Sequence, residues 1–319
     1  MINLAHNYAF DPCYGYSFND LLGVRAPFAP DDFADFWLGR YRKILTYHPQ
    51  YSLTLNRKFS GFLVYDLSFS SSNGFQINGW LLVPENGIVK RGIVVGHGYG
   101  GREQPDFNFG IPNTAFLFPC FRGISRSRCP ELPDQPQFHV LHGIDNRDDY
   151  VIGGCVEDLW LSVTVLLDLY PKTAGNIGYM GISFGGGIGA LALPWDTRIG
   201  RGHFNVPTFG NQPLRLSLPT VGSAAAVKSH SLHNDHITET LVYYDAAIAS
   251  GFARQPGHFA LAVFDPVVAP PGQFAIYNAW AGEKSLFVLD AGHFDYPSHA
   301  EQEQQLLAKI REFFGELSH

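Results

Sequence analysis

Long hydrophobic runs, basic clusters and paired cysteines are all missing from this chain. Its 319 residues carry 22 lysines and arginines against 29 acidic residues, a formal net charge of −7. No run of Lys or Arg builds a basic stripe, which argues against nucleic acid as a partner. No apolar stretch reaches the roughly 20 residues needed to cross a bilayer, so no membrane partner is expected. Residues 1–14 have neither a basic segment nor an apolar core and do not read as a secretory signal; a cytoplasmic location is expected. The four cysteines, Cys13, Cys120, Cys129 and Cys155, form no C-x-x-C pair and no zinc-ligand spacing. Free, mostly buried thiols are the preferred reading, with a Cys120–Cys129 bridge as the alternative. Internal repeats, low-complexity tracts and clear linkers are absent as well.

What is present is the composition of a compact domain with a large core: 45 % hydrophobic and 16 % charged residues. The 34 glycines and 21 prolines call for many tight turns. We expect one domain over residues 1–319, with an N-terminal extension over 1–60. Within the extension, Asp31 and Asp32 can cap a helix that carries Phe33, Phe36, Trp37, Tyr41 and Leu45 at helical spacing. Residues 63–70 and 75–83 read as strands, and Asn73-Gly74 between them is a hairpin-turn signal. From there, short apolar runs at 93–95, 115–118, 177–180, 258–264 and 285–289 predict strands buried on both faces. Helices are predicted at 155–170, 186–193, 271–280 and 299–317, the last with Leu306, Ile310, Phe313, Phe314 and Leu317 as its core stripe. Alternating strands and helices predict an α/β fold with a mostly parallel central sheet flanked by helices. An antiparallel opening followed by a parallel run is the pattern of an α/β-hydrolase. Residues 208–251 are too long for an ordinary connection and are read as an inserted, partly helical cap.

The strongest local signal is Gly181-Ile182-Ser183-Phe184-Gly185, which fits the G-x-S-x-G nucleophile elbow. A buried strand precedes it and a small-residue helix follows, the context that turn requires. A nucleophilic serine needs a base and a group to orient that base, and in this fold the order along the chain is Ser, then Asp or Glu, then His. His293 follows the last predicted strand and is taken as the base; His299, at the start of the last helix, ranks below it. Asp265 follows the strand before and is taken as the orienting acid. Asp290 and Asp295 lie on the wrong side of the topology, and Asp196 is read as capping a turn. Gly96-His97-Gly98-Tyr99-Gly100-Gly101 ends another strand and would turn backbone N–H groups towards an anion. The backbone N–H groups of Tyr99 and Phe184 are therefore the expected oxyanion hole. His230, His233 and His236 form an H-x-x-H-x-x-H tract, which we read as polar cap surface; no metal and no organic cofactor are expected.

These motifs, taken in order, resemble the acetyl xylan esterase and cephalosporin C deacetylase family, carbohydrate esterase family seven. The resemblance runs from the Phe36-Trp37 pair through Asn78-Gly79-Trp80-Leu81, His97-Gly98-Tyr99-Gly100-Gly101 and Arg122-Gly123. It continues through the elbow and Leu241-Val242-Tyr243-Tyr244-Asp245 to Asp265-Pro266 and Gly292-His293. It implies deacetylation of small acylated substrates such as acetylated sugars, with Ser183, Asp265 and His293 as the triad. It also implies a homo-oligomer, commonly a ring-like hexamer. Three positions depart from the family: Phe184 and Ile124 stand where Gln is usual, and Phe294 where Glu is usual. All three exchange polar for apolar groups and suggest a preference for less polar esters. The alternatives are a general carboxylesterase or a small-peptide or amide hydrolase on the same triad, and, in a different class, a non-catalytic binding protein.

Overall fold

The computed structural model describes residues 4–315. Nine strands form one sheet: β1 (Tyr51–Phe59), β2 (Phe62–Ser70), β3 (Gln76–Pro84), β4 (Arg91–Gly96), β5 (Thr114–Pro119), β6 (Ile177–Ile182), β7 (Ile199–Asn205), β8 (Gly257–Ala262) and β9 (Lys284–Leu289). Their spatial order is β1-β2-β3-β5-β4-β6-β7-β8-β9. The pairs from β1 to β5 across β3 are antiparallel, and every pair from β5 to β9 is parallel. The eleven helices of the described residues are α1 (Phe18–Leu22), α2 (Phe33–Leu45), α3 (Pro136–His139), α4 (Val151–Leu169), α5 (Phe184–Ala192), α6 (Gln212–Ser217), α7 (Ser223–Ser231), α8 (Ile237–Leu241), α9 (Ala246–Ser250), α10 (Pro270–Ala279) and α11 (His299–Gly315). This is the α/β-hydrolase architecture.

The pleat sends alternate side chains to opposite faces. In β4, Val94 joins a core shared with Trp37, Trp160 and Phe184, while Ile93 and Val95 join another under Leu306, Ile310 and Phe314 of α11. Leu317 of the expected α11 stripe lies outside the described residues. Four of the five predicted buried strands are buried along their length. The fifth, β9, has half-buried and exposed positions; among the described residues it is the edge strand of the sheet.

Two strands carry no apolar run and escape the sequence reading. β1 is the outer edge, exposed at nearly every position, and lies inside the segment expected to be extension. β7 has the sequence Ile-Gly-Arg-Gly-His-Phe-Asn, yet sits between β6 and β8. At the hairpin, Asn73 (φ +58°) and Gly74 (φ +79°) both take left-handed backbone, as the turn signal requires. Asp32 does sit at the start of α2, but its side chain makes no cap. Its carboxylate instead takes Arg147 Nη1 at 2.9 Å and the Tyr243 hydroxyl. The buried face of α2 is Phe33, Trp37, Tyr41 and Ile44, while Leu45 is exposed. All four cysteines are free. The segment read as a cap carries α6 to α9.

Candidate active site

Four loops leave the C-terminal ends of parallel strands and converge. The loop after β4 carries Tyr99 and the one after β6 carries Ser183; Asp265 and His293 follow β8 and β9. The chain order reverses between β4 and β6, the place in an open α/β sheet where a crevice forms.

Ser183 occupies the tight turn between β6 and α5 with φ +54° and ψ −109°, backbone that a side-chain-bearing residue rarely takes. The turn depends on how closely α5 meets β4. A Cβ on Gly185 would come within 2.7 Å of the Gly96 carbonyl carbon and 2.8 Å of the His97 oxygen. With hydrogen there instead, the Gly185 N–H donates to that His97 oxygen at 2.9 Å. The elbow is thereby locked to the turn after β4.

Asp265 is fully buried. Its Oδ1 accepts from the N–H groups of Val267 (2.8 Å) and Val268 (2.9 Å), and its Oδ2 from Gln273 Nε2 (3.0 Å). The remaining bond comes from His293 Nδ1 at 2.8 Å. A carboxylate only accepts, so Nδ1 carries the proton and Nε2 is left as an acceptor. His293 Nε2 lies 2.9 Å from Ser183 Oγ and takes the serine hydroxyl. His293 itself has φ +49°, and a Cβ on the preceding Gly292 would come within 2.4 Å of Asp265 Oδ2. Any larger residue at 292 would push the acid off its histidine.

The turn after β4 is fastened from inside. His97 Nε2 accepts the Phe121 N–H at 3.0 Å, so its Nδ1–H donates to the Gly98 carbonyl at 2.7 Å. Burial pushes this imidazole down to about 4, and it stays neutral. The Tyr99 ring stacks on Phe184, centroids 4.1 Å apart, and its hydroxyl donates to His139 Nδ1 at 2.9 Å. His139 Nε2 donates in turn to the Arg122 carbonyl at 2.9 Å, and burial holds this ring at about 4 too. The N–H of Phe184, first in α5, has no helical partner by position. Among the described residues, neither it nor the Tyr99 N–H meets a main-chain carbonyl in a turn or cap.

Sequence reasoning thus named the residues that meet at Ser183, and the rivals lie elsewhere. His299 lines a groove beside His293 without bonding Ser183. Asp290 takes the Ser298 hydroxyl at 2.5 Å, and Asp196 is spent on Arg198 and on the Tyr41 hydroxyl. His230, His233 and His236 do not converge: His236 pairs with Asp145 at 2.9 Å. Among the described residues no three His, Cys, Asp or Glu side chains come together as metal ligands. Phe184 is completely buried, and Ile124 nearly so, while Phe294 packs on Phe264, centroids 5.0 Å apart.

Other residues of the site left no signal. Gln273 of α10 holds Asp265 while its Oε1 takes the Ala262 N–H at 2.9 Å. The N-terminal segment pins the acid loop: the Asp265 N–H donates to Pro12 O at 3.1 Å, and the Tyr14 hydroxyl to Pro219 O at 2.8 Å. His139 reads as one more histidine in a loop. None of these belongs to a motif.

Comparison with known proteins agrees with this fold. The solved acetyl xylan esterase from Paenibacillus sp. R4 has 20 % sequence identity and a TM-score of 0.79, covering 92 % of this chain and 99 % of that one. Acetyl xylan esterase 1 from Thermoanaerobacterium sp. JW/SL YS485 gives 18 % identity and a TM-score of 0.81, over 94 % of this chain and 99 % of that one. The acylaminoacyl peptidase of Pyrococcus horikoshii shares the fold at 15 % identity and a TM-score of 0.64. There the match covers 81 % of this chain but only 42 % of the peptidase. No curated protein sequence matches the chain. The family model of the acetyl xylan esterases matches residues 24–310. A chain so matched, on this fold, belongs to the acetyl xylan esterase family and is a carboxylic ester hydrolase.

Proposed function

We propose that the protein is a serine esterase that removes acetyl or other short acyl groups from small esters, acetylated sugars foremost, through an acyl-enzyme on Ser183. The observation that carries this reading is the unbroken relay from Asp265 Oδ2 through His293 to Ser183 Oγ, at 2.8 and 2.9 Å. Ser183 Oγ attacks the acyl carbonyl carbon while His293 Nε2 takes its proton. Asp265 keeps the proton on Nδ1 and balances the imidazolium. The oxyanion of the tetrahedral intermediate falls to the N–H groups of Tyr99 and Phe184, where one such donor contributes about 3–4 kcal/mol. His293 then protonates the departing alcohol, and water, activated by the same imidazole, releases the acid and restores Ser183.

Two spaces support small substrates. A cavity of about 20 Å³ beside the Asp265 loop, walled by Phe209, Val267 and Val268 among others, is the small space we assign to a short acyl end. A groove of about 380 Å³ runs past His293 with Asn205, Asp295, His299 and Glu303 along it, polar partners of the kind a sugar alcohol uses. The apolar walls and the buried Phe184 support a second reading, a general carboxylesterase for less polar alcohols. A homo-oligomer, with a hexamer as its expected size, belongs to the same proposal; light scattering in solution tests it. Hydrolysis of p-nitrophenyl acetate, butyrate and octanoate, beside Ser183→Ala, tests the function. Acetate turnover that disappears in the variant is expected. Preference for octanoate would move the reading to the carboxylesterase, and equal rates in both proteins would remove Ser183 from the chemistry.

A further inference from the structure

Arg215 on α6 is buried, with 8 % exposed, and among the described residues no carboxylate forms an ion pair with it. Its guanidinium lies 5.4 Å from the Phe209 ring centroid, and Nη1 reaches Gln212 Oε1 only at 3.3 Å. Nε and Nη2 have no hydrogen-bond partner among the described residues. These two groups form one edge of the guanidinium, the pair of parallel N–H bonds that grips a carboxylate with both oxygens. Asp245 exerts its charge on Arg215 through space, yet its oxygens are taken by the N–H groups of Asn211, Gln212, Ala247 and Ile248. Burial pushes the guanidinium below its ordinary range, with Tyr150, Tyr99 and Asp245 acting against that. A buried cation without an anion is costly, and removing one partner of a buried pair is among the most damaging changes a protein can suffer. A chain that keeps such a group unpaired keeps it for a ligand.

The position of the group says which ligand. Arg215 and Thr220 both line the cavity of about 20 Å³, and Thr220 Oγ1 is likewise buried without a partner among the described residues. The walls of this cavity are tied to the reacting groups. The Thr208 N–H donates to the Ser183 carbonyl at 3.1 Å, and Val267 and Val268 hold Asp265. The Phe209 ring packs edge-on to Phe184, 6.0 Å between centroids. The space is too small for a phosphate ester with its substituent and suits a single flat head group.

We propose that Arg215 and Thr220 form a carboxylate subsite in this cavity, whose walls adjoin the Ser183 and Asp265 loops. It is filled by the far carboxylate of a short dicarboxylic half-ester or by a free short carboxylate such as the acetate that turnover releases. The first source rests on the reading of Ser183 as the nucleophile and needs the acyl chain to reach this cavity from it; the second needs only the cavity itself.

The test compares the wild type with Arg215→Met, which keeps the length and removes the charge. For monoethyl succinate against ethyl butyrate, the ratio of kcat/KM is expected to fall tenfold to a hundredfold in the variant, the range for a charge-assisted hydrogen bond. Thermal unfolding of Ser183→Ala with added acetate or succinate reads binding without turnover. Carboxylate should raise its Tm, and should not do so in Ser183→Ala/Arg215→Met, whose own Tm should be the higher of the two in the absence of ligand. A changed ratio identifies the half-ester. A Tm response with an unchanged ratio identifies the free carboxylate. If no ester is turned over at all, the Tm response still stands or falls by itself. Should Arg215→Met fail to fold, Thr220→Val in the same two assays takes its place. An unchanged ratio together with no carboxylate-dependent Tm shift overturns the proposal and leaves Arg215 a packing residue.

Discussion

Asp158 and Asp265 are two fully buried carboxylates, and each accepts four hydrogen bonds. Asp158, on α4, takes the Ser71 hydroxyl at 2.5 Å together with the N–H, Nε and Nη2 of Arg122 at 2.7–3.0 Å. Asp265 takes two backbone N–H groups, Gln273 and His293. Burial and saturation are alike, and the difference lies in the partner. Arginine stays charged in a protein, so the Asp158 pair can only hold β2, β5 and α4 together. Imidazole has a second nitrogen, and at His293 that nitrogen faces a hydroxyl on a strained turn. The same physics that builds a framework joint builds a reactive centre when one partner keeps unused capacity. The two constellations also touch: the Arg122 carbonyl holds His139, which holds the Tyr99 hydroxyl.

Replacing Asp265 by Asn would break the comparison most severely. The amide can donate to Nδ1 and so favours the wrong tautomer, and kcat on p-nitrophenyl acetate should fall about 10⁴-fold with the circular dichroism spectrum intact. A loss under tenfold would mean that Asp265 does not orient His293.

Asp158→Ala should act on the fold. It leaves the buried Arg122 charge with only Glu157, at 4.0 Å, against it, and urea unfolding should show a loss of about 3–5 kcal/mol. A midpoint within experimental error of the wild type would place Asp158 outside the framework.

Acid should separate the two regions next. His97, His139 and His258 are pushed by burial to about 4, and burial also holds His203, its Nδ1 2.8 Å from that of His258, well below its ordinary value. In the unfolded chain these groups protonate near 6.5. Between about pH 6.5 and 4 the unfolded state therefore binds more protons, and stability falls as pH drops through that window. Asp245, raised to about 6 by burial, works the other way below pH 6, one group against four. Tm measured from pH 7 to 4.5 should decline steadily; a flat profile would mean that these imidazoles are protonated in the folded protein.

The smallest effect belongs to the link between the regions. Tyr99→Phe removes the hydroxyl that His139 accepts, and leaves the backbone N–H in place. Stability should drop by about 1–3 kcal/mol, the cost of a buried acceptor left alone. The KM for p-nitrophenyl acetate should change less than twofold, and a larger change would bring the hydroxyl into contact with substrate.

Much of this site was legible beforehand because its chemistry demands local geometry. Gly185 must be glycine where α5 touches β4, and a Gly-rich turn must end β4. Ser183, Asp265 and His293 follow one another along the chain at the ends of β6, β8 and β9. Apolar runs marked β4, β5, β6 and β8 inside the sheet, and β9 at its edge. What stayed hidden depends on neighbours far away in the chain. β7 is a central strand in spite of Gly200, Arg201 and Gly202, because β6 and β8 offer it ladder partners on both sides. β1 is a strand because β2 pairs with it, although its own residues are mostly exposed. Gln273 serves Asp265 across a loop, and Pro12 and Tyr14 reach the same acid from the opposite end of the chain.

Composition, glycine spacing and residue order thus determined the fold class and pointed to Ser183, Asp265 and His293, since elbow, strands and helices each rest on local patterns and the fold fixes the order in which they come. Tertiary structure alone decided which polar groups found partners. His139 fell beside Tyr99, while Nε and Nη2 of Arg215 found no partner among the described residues, because a hydrogen bond needs two groups within about 3 Å and only the closed chain brings them there.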